Sequence, residues 1–252
     1  MRPVALTIAG SDSGGGAGIA ADLKTFEAHD LWGAVAVTAV TAQNSVGVQA
    51  VHPVPAEVVR AQIESVVSDL GVAAAKTGML ANAAVVAAVV AAVRDLGVTP
   101  LVVDPVLVSS TGHSLLDDPR ALDELVALAT VVTPNRAEAR ALTGLDDPED
   151  AAHALIARGA KVVMVTGSET ADDLVVAAGA DPAWLEGTRL DATDTHGTGC
   201  VLSAAICAEL ARGMEPADAC VAAKQFTARA IAAAVRLGRG SGPVDPGWES
   251  RH

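Results

Sequence analysis

Aromatic side chains are nearly missing from this sequence: two Phe, three Trp and no Tyr among 252 residues. A platform that stacks successive bases needs several of them, so that mode of nucleic-acid binding is not expected. Positive charge is scarce as well. Lys and Arg total 17 against 30 Asp and Glu, a formal net charge of −13. Such a surface disfavours the phosphate backbone of nucleic acids and anionic membrane surfaces as partners. Only three cysteines occur, Cys200, Cys207 and Cys220, with no CxxC pair and no zinc-ligand spacing. The odd count argues against a complete set of intrachain disulfides and fits a reducing compartment. The longest Ala/Val run, Ala83 to Val93, is eleven residues, too short to span a bilayer. The apolar start Val4–Ala9 passes directly into glycines rather than into a secretory cleavage site. A soluble, cytoplasmic protein is expected.

Two nucleotide-binding signatures are also absent. Gly14, Gly16 and Gly18 give G-x-G-x-G rather than the dinucleotide pattern G-x-G-x-x-G, and no acidic residue follows at the ribose position. No Gly-Lys dipeptide occurs, so the phosphate-loop pattern is excluded too.

What the sequence does contain is alternation. Hydrophobic residues make up 51% and charged residues 19%, a globular composition. Apolar runs read as strands at Val4–Ala9, Ala34–Thr41, Val72–Lys76, Leu101–Asp104, Thr130–Thr133 and Val162–Thr166. Helical spacing falls between them, as in Glu57–Leu70, with Asn82 and Asp117 or Asp118 as N-caps and Gly97 as a C-cap. Two further strands, near Leu174–Ala177 and Leu185–Leu190, suggest an antiparallel edge, and two long helices follow, Thr198–Ala211 and Pro216–Val235. Repeated strand–helix units imply a mainly parallel sheet covered on both faces. No linker divides the chain, so one domain over 1–252 in three layers is expected.

In such sheets ligands bind beyond the carboxyl ends of the strands. The residues just past the expected strands are Gly10-Ser11-Asp12, Gln43-Asn44, Lys76-Thr77-Gly78, Asp104, Thr133-Pro134-Asn135 and Thr166-Gly167. Each taken singly is also an ordinary turn. The strongest local signal is Asp194-Thr195-His196-Gly197-Thr198-Gly199-Cys200 at the start of a helix. Glycines there leave backbone amides open to an anion, and the helix dipole favours one. Cys200 falls in the first turn, where a lowered thiol pKa is expected. The plain alternative is a glycine turn followed by a buried thiol. Asp104 and Glu138 are candidate Mg²⁺ carboxylates. They are equally a strand-ending acid and a helix N-terminal acid favoured by the dipole. Asp12, Asp22 and Gln43 offer hydrogen bonds near the first strand ends, and Met79 a soft apolar contact; a solvated helix face for Asp22 and core filling for Met79 are the alternatives.

Taken in order, several segments resemble the hydroxymethylpyrimidine/phosphomethylpyrimidine kinases of thiamine biosynthesis. They are residues 9–26 (AGSDSGGGAGIAADLKTF), 40–44 (VTAQN), 76–80 (KTGML), 103–106 (VDPV), 133–138 (TPNRAE), 195–200 (THGTGC) and 240–244 (GSGPV). The resemblance runs over essentially the whole chain. It implies a ribokinase-like αβα sandwich, a homodimer, ATP and Mg²⁺, and a small pyrimidine alcohol as substrate. It further implies Gly10, Asp22, Gln43, Met79 and Val106 around the pyrimidine, and an anion hole of Gly197, Thr198, Gly199 and Cys200. Asp104, Asn135 and Glu138 would hold Mg²⁺, directly or through water, and Asn135, Thr166, Gly167 and Lys224 would lie near the nucleotide. Cys200 stands where sugar kinases of the same fold carry Asp. The chain departs from the family at Thr166-Gly167-Ser168-Glu169, where many members read Lys-Gly-Gly-His, and Ala178–Trp184 suggests a reduced flap. A pyridoxine or pyridoxal kinase is the neighbouring alternative. A catalytically silent ligand-binding or regulatory protein on the same scaffold is the alternative from another class.

Overall fold

The computed structural model describes residues 2–108, 112, 115–116, 118–167, 171–188 and 193–248. In chain order the first half comprises β1 (Val4–Ala9), α1 (Gly18–Ala28), β2 (Trp32–Val37), β3 (Ala39–Asn44), β4 (Gly47–Pro53), α2 (Ala56–Leu70), β5 (Ala74–Thr77), α3 (Ala83–Asp95) and β6 (Leu101–Val103). A short 3-10 turn, Pro119–Leu122, leads into α4 (Asp123–Leu128). Then come β7 (Val131–Val132), α5 (Arg136–Thr143), α6 (Pro148–Ala157), β8 (Val162–Val165), β9 (Asp173–Ala177), β10 (Ala183–Leu185), α7 (Thr198–Ala211) and α8 (Pro216–Ala232).

Eight strands form one sheet in the order β10-β9-β8-β7-β6-β5-β1-β2. From β8 to β2 every neighbouring pair is parallel, whereas β9 and β10 add antiparallel strands at one edge. Period-2 alternation sends successive side chains to opposite faces, and two cores result. Leu6, Ile8, Val103, Val132 and Val163 pack with Val59 and Ile63 of α2, Val85 to Val93 of α3 and Leu155 of α6. Ala5, Val102, Val131, Val162 and Met164 pack on the other face with α7 and α8. This is the three-layer sandwich expected, with its antiparallel edge. Helix α7 is buried on nearly all sides, from Val201 to Ala208 without a break, because it lies between the sheet, α1 and α8. An all-apolar helix of this kind belongs in a core. No helix among the described residues is long and apolar enough to cross a membrane.

The expected strand Ala34–Thr41 is two strands. It breaks at Thr38, whose N–H donates to Ala9 O at 3.0 Å and whose hydroxyl donates to Met79 O at 2.6 Å. Beyond that anchor the chain leaves the main sheet, and β3 pairs instead with β4 as a separate antiparallel hairpin. Strand β4 gave no sequence signal, because most of its residues are exposed on both faces. The second edge strand begins and ends earlier than expected, at Ala183–Leu185, and Leu190 lies outside the described residues. Asn82 caps α3 through Val85 N, and Asp118 caps the 3-10 turn through Arg120 N; Asp117 lies outside the described residues. Gly97 adopts φ +64° just past the end of α3, whose C-cap is Leu96.

Candidate active site

Parallel strands deliver their following loops to one edge, and five such loops meet there around a cavity of about 270 Å³. The loop after β1 brings Gly10 and Asp12, and the end of β5 brings Lys76, Gly78 and Met79. The segment after β6 supplies Asp104 and Val106, the one after β7 Thr133, Asn135 and Glu138, and the end of β8 Thr166. Gln43 reaches in from the β3–β4 hairpin, and α7 contributes Gly197, Gly199 and Cys200. All six strand-end clusters read from the sequence therefore contribute to one wall or another.

The glycine loop is shaped by one carboxylate. Asp12 accepts hydrogen bonds from the N–H groups of Gly14, Gly16 and Ala17 at 2.8, 3.1 and 2.9 Å, and pairs with His196 Nε2 at 2.8 Å. Burial opposes its charge, but the His196 contact and the amide donors outweigh it and hold Asp12 below the usual carboxylate range. His196 is thus placed as a clasp between the first loop and the loop preceding α7. Gly197 sits at φ +85°, and a Cβ there would strike the Gly16 carbonyl. Gly199 differs: a Cβ at this position would meet nothing within 4 Å. No packing demands glycine there, so its bareness serves the cavity, leaving the first-turn amides of α7 open.

The cavity floor carries a buried ion pair. Lys76 has no solvent exposure, and its Nζ lies 3.0 and 3.2 Å from the two oxygens of Asp22. Asp22 also accepts the Thr7 hydroxyl at 2.6 Å, and Asp104 Oδ2 lies 4.0 Å from Lys76 Nζ. Burial works against the charge of Lys76, yet Asp22 and its other anionic neighbours push its pKa above the ordinary lysine value. Cys200 is in the first turn of α7 as expected, but its thiol is not acidified. Burial pushes it up to about 12, with Asp22 and Asp104 adding to the rise, while Lys76 and the Gly18 N–H oppose it. The expectation weighed the helix dipole alone; desolvation and two carboxylates outweigh it.

Asp104 and Glu138 both line the cavity. Burial raises both, and the charge of Asp104 contributes to lifting Glu138 to about 8. Asp104 accepts the Ser203 hydroxyl at 2.9 Å, and Glu138 forms a capping box with Asn135 at the start of α5. Thr133 Oγ1 is buried in the same wall with no hydrogen-bond partner among the described residues. Two mutually repelling carboxylates beside an unsatisfied hydroxyl fit a hard divalent cation. Among the described residues no group of three or more His, Cys, Asp or Glu could hold a metal. Mg²⁺ takes one or two carboxylates and completes its shell with water and phosphate oxygens.

Four expected site residues are not in this wall. Asp22 lies behind it, engaged by Lys76 and Thr7. The Thr198 hydroxyl turns back to Thr195 O at 2.8 Å. Gly167 N donates to Asp173 Oδ1 at 2.9 Å. Lys224 is tied to Ala171 O, Asp173 Oδ2 and Leu185 O at 2.8, 2.9 and 2.8 Å. Ser168 and Glu169, in the altered loop, lie outside the described residues. Conversely, sequence reasoning assigned no role to Lys76 or Ser203. A lone cation within Val72-Ala73-Ala74-Ala75-Lys76 is a usable signal, because a lysine in so apolar a strand must be buried and paired. Ser203, inside an all-apolar helix, offers none.

The comparisons with known proteins agree with the geometry. The family model described as phosphomethylpyrimidine kinase matches residues 12–245. A hydroxymethylpyrimidine/phosphomethylpyrimidine kinase of Streptomyces coelicolor is 48% identical over 257 residues, covering 98% of this chain and 95% of that protein. Among solved structures, an ADP complex of Bacillus subtilis pyridoxal kinase superposes with a TM-score of 0.91 at 37% identity, covering 100% of both chains. A phosphomethylpyrimidine kinase of Clostridium difficile gives 0.81 at 35% identity, covering 91% of this chain and 100% of that one.

Proposed function

The chain belongs to the phosphomethylpyrimidine kinase family, and on that premise we propose how its residues divide the work. It is a ribokinase-like phosphotransferase of thiamine biosynthesis. It phosphorylates the hydroxymethyl group of 4-amino-5-hydroxymethyl-2-methylpyrimidine, then converts the monophosphate to the diphosphate. The observation that carries this is one cavity lined both by the bare N-terminus of α7 and by two carboxylates, Asp104 buried and Glu138 half-buried. A phosphoryl group can be cradled there between amide donors on one side and a carboxylate-held cation on the other.

ATP is the donor, supported by the ADP held by a structural relative, with Asn135 and Thr166 on the nucleotide side of the cavity. Asp104 and Glu138 would hold Mg²⁺, which when bound supplies neutralisation of phosphate charge. Gln43, with one donor and one acceptor group, pairs with the aminopyrimidine edge, and Gly10, Met79 and Val106 provide small or apolar walls. Gly197 and Gly199 present amides to the transferring phosphoryl. Cys200 orients the substrate hydroxyl and, in the minor thiolate form that a pKa of about 12 leaves at neutral pH, takes its proton. Phosphoryl transfer through a loose transition state depends mostly on positioning and charge, so a small population of the base suffices. Cys200→Ala is expected to lower turnover across the pH range, and near-full turnover would remove this role.

The whole chain acts as one kinase domain, in the cytoplasm, and as a homodimer. The exposed Val40 and Val46 of the separate β3–β4 hairpin support the last point, and light scattering at micromolar concentration tests it. Vitamin B6 is the competing substrate, favoured by the pyridoxal kinase neighbour. Mass spectrometry of products from the pyrimidine alcohol with Mg-ATP should show mono- and diphosphate. A much higher kcat/KM for pyridoxine would overturn the pyrimidine assignment. No substrate-dependent ATP consumption would point to the silent scaffold.

A further inference from the structure

We propose that a second cavity, beside the first, receives the pyrimidine ring when the monophosphate is the phosphoryl acceptor. This cavity of about 440 Å³ lies between the tip of the β3–β4 hairpin, the segment leading into α7 and the glycine-rich segment after α8. Asn44, Ser45, Thr193 and Ser241 line it, and it shares Gln43 and His196 with the first cavity. The first has only about 270 Å³, whereas ligand cavities commonly measure about 300–1,000 Å³.

Hydrogen bonds tie the walls of the second cavity together. Ser241 Oγ donates to Thr193 O and accepts from Thr195 N, both at 3.1 Å. Gly240 N donates to Ser45 Oγ at 3.2 Å, and Gly242 N to Asp194 Oδ1 at 2.6 Å. A Cβ at Gly240 would strike the Ser45 carbonyl, so glycine is what lets the hairpin tip approach this segment. Among the described residues no Lys or Arg lines the cavity, and His196 is engaged by Asp12. Phosphate is normally held by charge-assisted bonds, so this lining suits an uncharged, hydrogen-bonding ring better. Asn44 Oδ1 accepts from Val46 N at 2.9 Å, which leaves its NH2 group to donate to a ring nitrogen.

The two reactions require two ring positions. The inference rests on the reading that the α7 amides receive the transferring phosphoryl. That point is one place in the protein, so the acceptor oxygen must come to it in both steps. In the first step the acceptor is the hydroxymethyl oxygen. In the second it is a phosphate oxygen, two bonds farther from the ring. That oxygen is mostly ionised at neutral pH, since a phosphate monoester has a second pKa of about 6. Its electron pair forms the new bond to the γ-phosphorus of ATP, the bond from that phosphorus to the β–γ bridging oxygen breaks, and ADP leaves with that pair. The ring must therefore sit back by the length of one phosphate group. The donor is not free to shift instead: Asn135 and Thr166, on the nucleotide side, are bridged to each other, and Asn135 is locked with Glu138 in the capping box. On the Gln43 side the second cavity provides the room.

Thr193→Phe tests this by narrowing the second cavity. Thr193 is exposed, its hydroxyl meets the adjacent Asp194 at 3.4 Å, and its carbonyl rather than its side chain holds Ser241. Initial rates are measured separately with the alcohol and with the monophosphate as acceptor. We expect kcat/KM for the monophosphate to fall about tenfold or more and that for the alcohol to stay within about twofold. Equal losses, a loss confined to the alcohol, or no loss with either overturns the proposal. A second measurement needs no variant: crystals of the parent protein with the non-hydrolysable ATP analogue AMP-PCP and either acceptor. The ring should lie in the first cavity with the alcohol and reach into the second with the monophosphate; one ring position for both overturns the proposal. A parent protein that phosphorylates neither acceptor would overturn the functional reading itself, and the proposal with it.

Discussion

Replacing Gly199 with alanine should separate stability from activity. The residue is the second of α7, and a Cβ there meets no atom within 4 Å. Nothing in the protein resists the methyl group. Glycine within a helix costs about 0.5–1 kcal/mol relative to alanine, so the variant should be slightly more stable. For a chain of this size that raises Tm by roughly 1–4 °C. The same methyl projects into the space through which the first-turn amides of α7 would reach a phosphoryl oxygen. A displacement of about 1 Å at a reacting centre costs on the order of 10²-fold, so kcat/KM should fall by about that factor. Gly197→Ala is the matched control. Its φ of +85° and the Gly16 carbonyl leave no room for a side chain, and strain of about 1–3 kcal/mol should lower Tm by several degrees. Scanning calorimetry and steady-state kinetics on both variants decide the matter. A Gly199→Ala enzyme retaining nearly full kcat/KM would refute the claim that α7 presents its amides to the phosphoryl group.

Lys224→Met should lower Tm while leaving KM for ATP within about twofold, because the part-buried ammonium serves Asp173 and two carbonyls; a large rise in KM with Tm unchanged would support a nucleotide role. Glu138 supplies a pH signature. Its pKa rises from 4.5 to about 8 in the folded protein, so the folded state binds more protons between those values, and stability from this group is full below pH 4.5 and declines as pH rises toward 8. Denaturant titrations without added Mg²⁺ should show that decline, and Glu138→Gln should flatten it. A variant with the same slope as the parent would contradict the assignment.

The positions of the site loops were legible before any coordinates, whereas several of the roles were not. Gly10, Asp104, Thr133 and Thr166 could be placed along one sheet edge because parallel strands leave no other arrangement, and they line one cavity there. Asp22 shows the limit. Its helical position fitted a residue reaching a ligand, but the inward face of α1 carries it onto Lys76, a contact spanning 54 residues that no local pattern encodes. The acidity of Cys200 was misjudged for a related reason. A helix terminus is visible in sequence, whereas the depth of burial and the carboxylates gathered from α1 and β6 are not. Strand β4 escaped notice because a hairpin exposed on both sides has no apolar alternation to read.

The contact between Asp12 and His196 joins positions 184 residues apart, and His196 is also bridged by its backbone to Gly242 and Val244. Synthesis on the ribosome therefore cannot assemble the binding site piecemeal. The glycine loop waits for its partner until a further 184 residues have been made. No nascent fragment can be rescued by substrate, since a ligand stabilises only a state that binds it. A chain cut short before residue 196 lacks the clasp and carries no such protection.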